Sequence, residues 1–269
     1  MATNRAKLVL AVIGLILSLL LATMALAESN SASENQQTIN DYNKAIELNP
    51  KDATAYVNRG IAYKALGNYQ EAINDYSKAI ELDPKDADAY YNRGNAYKVL
   101  RNFKQAISDY NKAIELDPKD ADAYRNRGIA YKILGNYQQA MNDYNKAIEL
   151  NPEGADAYYN RGNAYKASGN LEQAINDYSK AIELDPKDAD AYYNRGVVNQ
   201  ASGNLEHAIS DYSKAIELDP KDADAYYNRG VAYQKSGNND MFIQNLKMAA
   251  KLGDGKAQDD LRSKGIEWH

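Results

Sequence analysis

Lys51 to Pro84 reads KDATAYVNRGIAYKALGNYQEAINDYSKAIELDP, and the rest of the chain is built around it. The pattern returns at Lys85–Pro118, Lys119–Pro152, Glu153–Pro186 and Lys187–Pro220, then decays through Lys221–Asp254. The period is 34 residues each time, with no insertion or deletion. Self-similarity at that spacing marks an array in which each unit buries its apolar face only against its neighbours.

Each unit holds two helical patterns. Between Asp52 and Leu66, Tyr56, Gly60 and Tyr63 fall on one face, with Ala62 and Leu66 at its edge. From Tyr69 to Leu82, Ala72, Ile73, Tyr76, Ala79 and Ile80 share a stripe. Gly67-Asn68 separates the two: glycine takes the left-handed conformation that ends a helix, and asparagine is expected to cap the next. Pro84 stops the second helix and Asp86 can cap the one that follows. A close approach of Gly60 to Ala72 or Ala79 is expected between the helices.

The spacing Tyr56, Gly60, Tyr63, Ala72, Tyr76, Ala79, Pro84 resembles the tetratricopeptide repeat, with tyrosine for the usual tryptophan and phenylalanine and Arg59 for the usual leucine. The resemblance covers residues 51–254 as six repeats: 51–84, 85–118, 119–152, 153–186, 187–220 and 221–254. It implies an all-α fold, a right-handed α-solenoid of stacked helix-turn-helix hairpins whose first helices line a concave groove. It further implies a groove that takes extended peptides or helices of other proteins. It does not extend to the family's chaperone-tail clamp, which has basic residues where this chain has Asp88, Asp122, Asp156, Asp190 and Asp224.

On each first helix the face opposite the packing stripe carries Asn58, Asn92, Asn126, Asn160, Asn194 and Asn228 without exception. A neighbouring site varies through Val57, Tyr91, Arg125, Tyr159, Tyr193 and Tyr227, and another through Ile61, Asn95, Ile129, Asn163, Val197 and Val231. An asparagine offers a donor and an acceptor, so a column of them can hold a peptide backbone of any sequence while variable neighbours choose side chains. The pattern resembles the asparagine ladder of O-linked N-acetylglucosamine transferase. The tyrosines supply rigid amphipathic area. The alternative is that the asparagines were carried along by duplication.

Beside the buried stripe lie Arg59, Arg93, Arg127, Arg161, Arg195 and Arg229, where an unpaired charge is costly. The second helices offer Asp41, Asp75, Asp109, Asp143, Asp177 and Asp211, then Asn245. Pairing inside each repeat leaves Asp41 spare and Arg229 unmatched. Pairing forward, Asp41 to Arg59 through Asp211 to Arg229, matches all six, so bridges between repeats are expected.

The ends differ from the repeats. Residues 1–27 carry two bases, no acid, an apolar core from Leu8 to Ala22 and an A-x-A site at Ala25–Ala27, the order of a secretory signal peptide. An uncleaved anchor over Leu8–Ala27 is the alternative; either way the array lies outside the cytoplasm, in the periplasm or secreted. Residues 28–33 read as a tether, and 34–50 as a lone second helix, with Ile39, Tyr42, Ala45 and Ile46 in register and Thr38 at the alanine site. Phe242, Leu246 and Asp254 break the sixth repeat's consensus. A polar helix over Lys256–Lys264 then caps the array, with Trp268, the single tryptophan, expected against the last hairpin.

Composition narrows the function. The net charge is −5, and loss of the two leader bases leaves the remainder more acidic, which argues against nucleic acid or an anionic membrane as partner. Cysteine is absent, excluding thiol catalysis and disulfides. His207 and His269 are the only histidines, His207 reads as a surface residue, and no phosphate loop or EF-hand loop is present. No catalytic residue, metal, cofactor or small-molecule substrate is therefore expected. The reading is a non-catalytic scaffold or adaptor that binds segments of partner proteins. A spacer, a self-associating scaffold or a membrane-anchored accessory subunit of a secretion or assembly complex is the alternative.

Overall fold

The computed structural model describes residues 31–268; the leader or anchor expected over residues 1–27 lies outside them. Every regular element among the described residues is an α-helix: α1 (31–48), α2 (Ala53–Ala65), α3 (Tyr69–Leu82), α4 (Ala87–Val99), α5 (Phe103–Leu116), α6 (Ala121–Ile133), α7 (Tyr137–Leu150), α8 (Ala155–Ala167), α9 (Leu171–Leu184), α10 (Ala189–Ala201), α11 (Leu205–Leu218), α12 (Ala223–Lys235), α13 (Asn239–Lys251) and α14 (Gly255–Ser263). They form two compact units, one ending at Pro118 and one starting at Lys119. In the first, α2 packs on α3, α4 on α5, and α3 on α4. In the second, α6–α7, α8–α9, α10–α11 and α12–α13 are the hairpins, each stacked on the next, and α14 closes on α13. This is the helical-hairpin solenoid.

Local chemistry places the boundaries. Asp86 Oδ1 accepts from Ala89 N at 3.0 Å and starts α4; Asp52, Asp120, Asp188 and Asp222 do the same for α2, α6, α10 and α12. Gly67 ends the first helix at φ 78°, in the left-handed region as expected. The asparagine after it is a correction: Asn68, Asn102, Asn136, Asn170 and Asn204 make no side-chain capping bond, and only Asn238 does, accepting from Met241 N. The carbonyl oxygen of Asn68 instead accepts from Ala72 N at 3.1 Å.

The core is a repeated triad. Ala72, Tyr76 and Ala79 are fully buried, as are their equivalents Ala106 and Tyr110 or Ala208 and Ala215. The glycine of the first helix meets the tyrosine, not the alanines: a Cβ on Gly60 would stand 2.7 Å from Tyr76 Cε1. The small residue therefore seats a ring rather than bringing two small residues together.

Both ends differ from the internal repeats. Ser31, Ala32 and Ser33 are already helical, so the tether expected at 28–33 gives way to α1 by residue 31; Asn35 Nδ2 donates to Ser31 O at 2.9 Å. Ile39 is buried, but Tyr42 is only half-buried, because no first helix among the described residues covers it as α2 covers Tyr76. At the other end Phe242, Leu246, Ala257 and Leu261 form a closing cluster, with Trp268 packed against it.

Candidate interaction surface

The arginines set the frame on which any surface is built. Arg59 Nε and Nη2 donate to both oxygens of Asp75, at 2.8 and 2.6 Å. Arg93–Asp109, Arg127–Asp143, Arg161–Asp177 and Arg195–Asp211 repeat this fork inside their own hairpins. The bridges expected between repeats, Asp41 to Arg59 through Asp211 to Arg229, are therefore corrected. Asp41 is exposed and accepts from Gln37, and Arg229 meets Asn245 Oδ1 at 2.8 Å. The reason is geometric: the aspartate, adjacent to the buried tyrosine and one turn from the two buried alanines, faces its own first helix, and the fork uses Nε and Nη2 together.

The third nitrogen does cross between repeats. Arg59 Nη1 donates to Asn43 Oδ1, Arg93 Nη1 to Ser77 Oγ, Arg161 Nη1 to Asn145 Oδ1, and Arg195 and Arg229 to Ser179 and Ser213. The sequence marks these acceptors: the site two residues after each aspartate is always serine or asparagine, from Asn43 to Ser213. The bonds to carboxylate hold the guanidinium of Arg59, Arg93 and Arg161 above its ordinary pKa, whereas burial holds Arg229, which has an amide instead, below it.

The asparagine column is spent largely on the protein itself. Asn92, Asn160 and Asn194 donate to the carbonyl four residues earlier. Asn194 Nδ2 also donates to the Tyr159 hydroxyl at 3.1 Å, and Asn228 Nδ2 to that of Tyr193 at 2.8 Å. Lys64 Nζ donates to Asn92 Oδ1 and Lys166 Nζ to Asn194 Oδ1, and burial holds both ammonium groups below their ordinary pKa. Asn126 is buried. Asn58, with no first helix before it among the described residues, has no such neighbour. The column thus fixes the stacking of first helices, a role that the invariance of the residue also satisfies.

The variable site is organised in turn. In the first unit Tyr91 tilts on Tyr110 with centroids 6.1 Å apart; in the second, Tyr159 tilts on Tyr178 and Tyr193 on Tyr212, at 5.9 and 5.8 Å. Tyr227 donates to Asp260 at 3.4 Å. Burial holds the hydroxyls of Tyr159, Tyr193 and Tyr227 above the ordinary phenol pKa. Arg125, at the same site of its repeat, bonds Asp122 at 2.7 Å and pairs with Asp156 at 3.2 Å.

Asn95 and Asn163 face inward in part. Each accepts from a buried tyrosine, Tyr110 at 2.8 Å and Tyr178 at 2.9 Å. Where the site is Ile61 or Ile129, the hydroxyls of Tyr76 and Tyr144 are buried without a partner. Where it is Val197, Gln200 accepts from Tyr212 instead, and where it is Val231 the tyrosine itself is Leu246. An unsatisfied buried hydroxyl costs about 1–3 kcal/mol. Ile61→Asn is expected to raise stability by about 1 kcal/mol in urea unfolding, and Asn95→Ile to lower it comparably; no gain from Ile61→Asn combined with no loss from Asn95→Ile would refute the pairing.

The family model described as TPR repeat matches residues 31–67, 62–99, 130–169, 162–203 and 201–237, and those described as tetratricopeptide repeat match 87–120, 109–142 and 223–252. The chain belongs to the tetratricopeptide repeat family, a class of protein-interaction scaffolds. It is similar to YrrB, described as a TPR protein with an unusual peptide-binding site: identity is 30% and the TM-score 0.59, over 71% of this chain and 98% of that one. MamA is also 30% identical, with a TM-score of 0.57 over 61% of this chain and 96% of that one. PilF of Pseudomonas aeruginosa, 20% identical with a TM-score of 0.69 over 79% and 97% of the two chains, shares the fold. No curated protein matches the chain.

Proposed function

We propose that this chain is a non-catalytic adaptor that binds segments of partner proteins along the faces of its first helices, and that it acts outside the cytoplasm. The observation that carries the binding reading is the row Tyr159, Tyr193, Tyr227 on α8, α10 and α12. The first two rings rest on buried tyrosines and take a bond from the next repeat's asparagine, so neither has to be ordered when a partner arrives. Tyrosine in that state offers apolar area with a polar edge. The fixed asparagines hold the row and the variable site sets its chemistry, with Arg125 a basic interruption. YrrB, with its peptide-binding site, supports the same reading by likeness.

The test places a photo-crosslinking residue at Val231, on this face, and at Lys214, away from it, in the producing organism. A partner trapped from Val231 and not from Lys214 is the expected result. Tyr193→Ala should then weaken that partner about tenfold, with helical circular dichroism unchanged, as loss of an aromatic anchor does. Equal trapping from both positions would sink the reading and leave a spacer. Export rests on the first 27 residues alone, and the intact mass of the protein from its native host decides it: a chain starting at Glu28 supports cleavage, and one starting at Met1 the membrane-anchored alternative.

A further inference from the structure

Five of the six hairpins carry a tyrosine near the end of the first helix: Tyr63, Tyr97, Tyr131, Tyr165 and Tyr233. The fifth hairpin has Asn199 there. What the tyrosine does is visible at the arginines. The Arg59 guanidinium lies 5.5 Å from the ring centre of Tyr56 and 5.9 Å from that of Tyr63, and Arg161 lies 5.6 and 6.0 Å from Tyr158 and Tyr165. Arg195 keeps the first ring, Tyr192 at 5.7 Å, and has an amide in place of the second.

The shorter side chain turns inward. Asn199 is 6% exposed, and its Nδ2 donates to Asp211 Oδ2 at 3.0 Å. Beside it opens a cavity of about 360 Å³ between α9, α10 and α11, lined by Ile175, Ser179, Arg195, Asn199, His207 and Ser210 among others. His207 is itself a departure, standing where the earlier repeats have Glu71, Gln105, Gln139 and Gln173. Two substitutions in one hairpin thus meet at one cavity. Residues 195 and 199 lie on the opposite side of α10 from Tyr193 and Val197, so this site is separate from the tyrosine row.

We propose that this cavity is a slot for a phenolic ring, either a tyrosine side chain of a partner protein or a free phenol, seated where the other hairpins place their own tyrosine. The space is a cleft open to solvent and lined mostly by polar residues, large enough for a ring whose hydroxyl finds polar partners and whose edge stays wet. Ile175 offers an apolar wall and Arg195 an open guanidinium face, which attracts an aromatic ring. The charge of Arg195 is already held by Asp211, through bonds of 2.7 and 3.1 Å, so the slot favours a neutral ring over an anion. Ser210 and His207 supply a hydroxyl and an imidazole partner for the phenol oxygen, the Ser179 hydroxyl being bonded already to Arg195 and to Ile175 O.

The test uses the untagged full chain, in which His207 and His269 are the only histidines, so the His207 imidazole is a resolvable proton signal. Titration with p-cresol should shift that signal saturably, and a nuclear Overhauser contact should join the p-cresol methyl group to Ile175. Asn199→Tyr, which restores the residue of the other five hairpins, should abolish the shift and raise the melting temperature. N-acetyltyrosinamide distinguishes the sources: binding of both probes indicates a tyrosine on a partner chain, and binding of p-cresol alone a free phenol. No saturable shift with either probe, no contact to Ile175, or an undiminished shift in Asn199→Tyr would overturn the proposal.

Discussion

Replacing Asp177 by alanine is expected to destabilise the second unit by about 3–5 kcal/mol, the cost of leaving a largely buried charge without its partner. The Arg161 and Asp177 side chains are 19% and 7% exposed, and their closest contact is 2.7 Å. Asp177→Ala leaves Arg161 with Asn145 as its remaining side-chain acceptor, an amide that cannot neutralise it. The comparison is Glu149→Ala, which removes an ion pair with Lys146 whose side chains are 68% and 37% exposed. That loss should stay within about 1 kcal/mol, because solvent screens the pair and long side chains are costly to order. Urea unfolding of both variants, followed by circular dichroism, decides the matter. If Asp177→Ala falls no further than Glu149→Ala, the forks are ornaments of the surface and not part of the frame. The sixth hairpin offers the converse. Arg229 meets Asn245 in place of an aspartate, and burial already lowers its pKa, so Asn245→Asp should stabilise the C-terminal hairpin by about 1 kcal/mol.

The fold was legible because its information is periodic. A helix stripe that repeats every 34 residues, with glycine, proline and aspartate at fixed places, specifies hairpin boundaries without reference to distant contacts. Side-chain pairing was less legible, for a physical reason. Matching arginines to aspartates one charge at a time favours the forward arrangement. A guanidinium has five donors in a plane, and it satisfied both neighbours: a carboxylate fork within the hairpin and a neutral acceptor in the preceding one. The invariant serine or asparagine two residues after each aspartate held that answer. The asparagine column is similar. Invariance suggested recognition, yet Asn194 and Asn228 bond to tyrosines one repeat back, contacts that no single-helix projection can display. The alternation of Ile61, Asn95, Ile129 and Asn163 reads in sequence as groove chemistry, and in the fold it decides which buried tyrosine hydroxyl has a partner.

Gly196→Ala should cost about 2 kcal/mol, although alanine is the better helix former by about 1 kcal/mol. A Cβ at Gly196 would stand 2.9 Å from Tyr212 Cε1, 3.0 Å from Cδ1 and 3.2 Å from Asp211 Cβ. None of these atoms can withdraw: the ring is 1% exposed among packed neighbours, and Asp211 is held by Arg195. Overpacking of that kind costs about 1–3 kcal/mol beyond any gain in propensity. Gly230 supplies the control within the same unit. Its tyrosine has become Leu246, and a Cβ there would stand 3.1 Å from Leu246 Cδ1 and 3.1 Å from Asn245 Cβ. The leucine methyl lies at the end of two rotatable bonds and can turn aside, but Asn245 Cβ, held through Arg229 and Met241, cannot, so Gly230→Ala should cost about 1 kcal/mol, less than Gly196→Ala. Unfolding midpoints for the two variants separate the explanations. Equal losses would mean that glycine serves the backbone at both sites, and equal gains that the ring yields. A larger loss at Gly196 than at Gly230 would establish that the array keeps its glycines to seat buried tyrosines, which explains why the glycine-to-ring contact recurs from the first hairpin to the fifth.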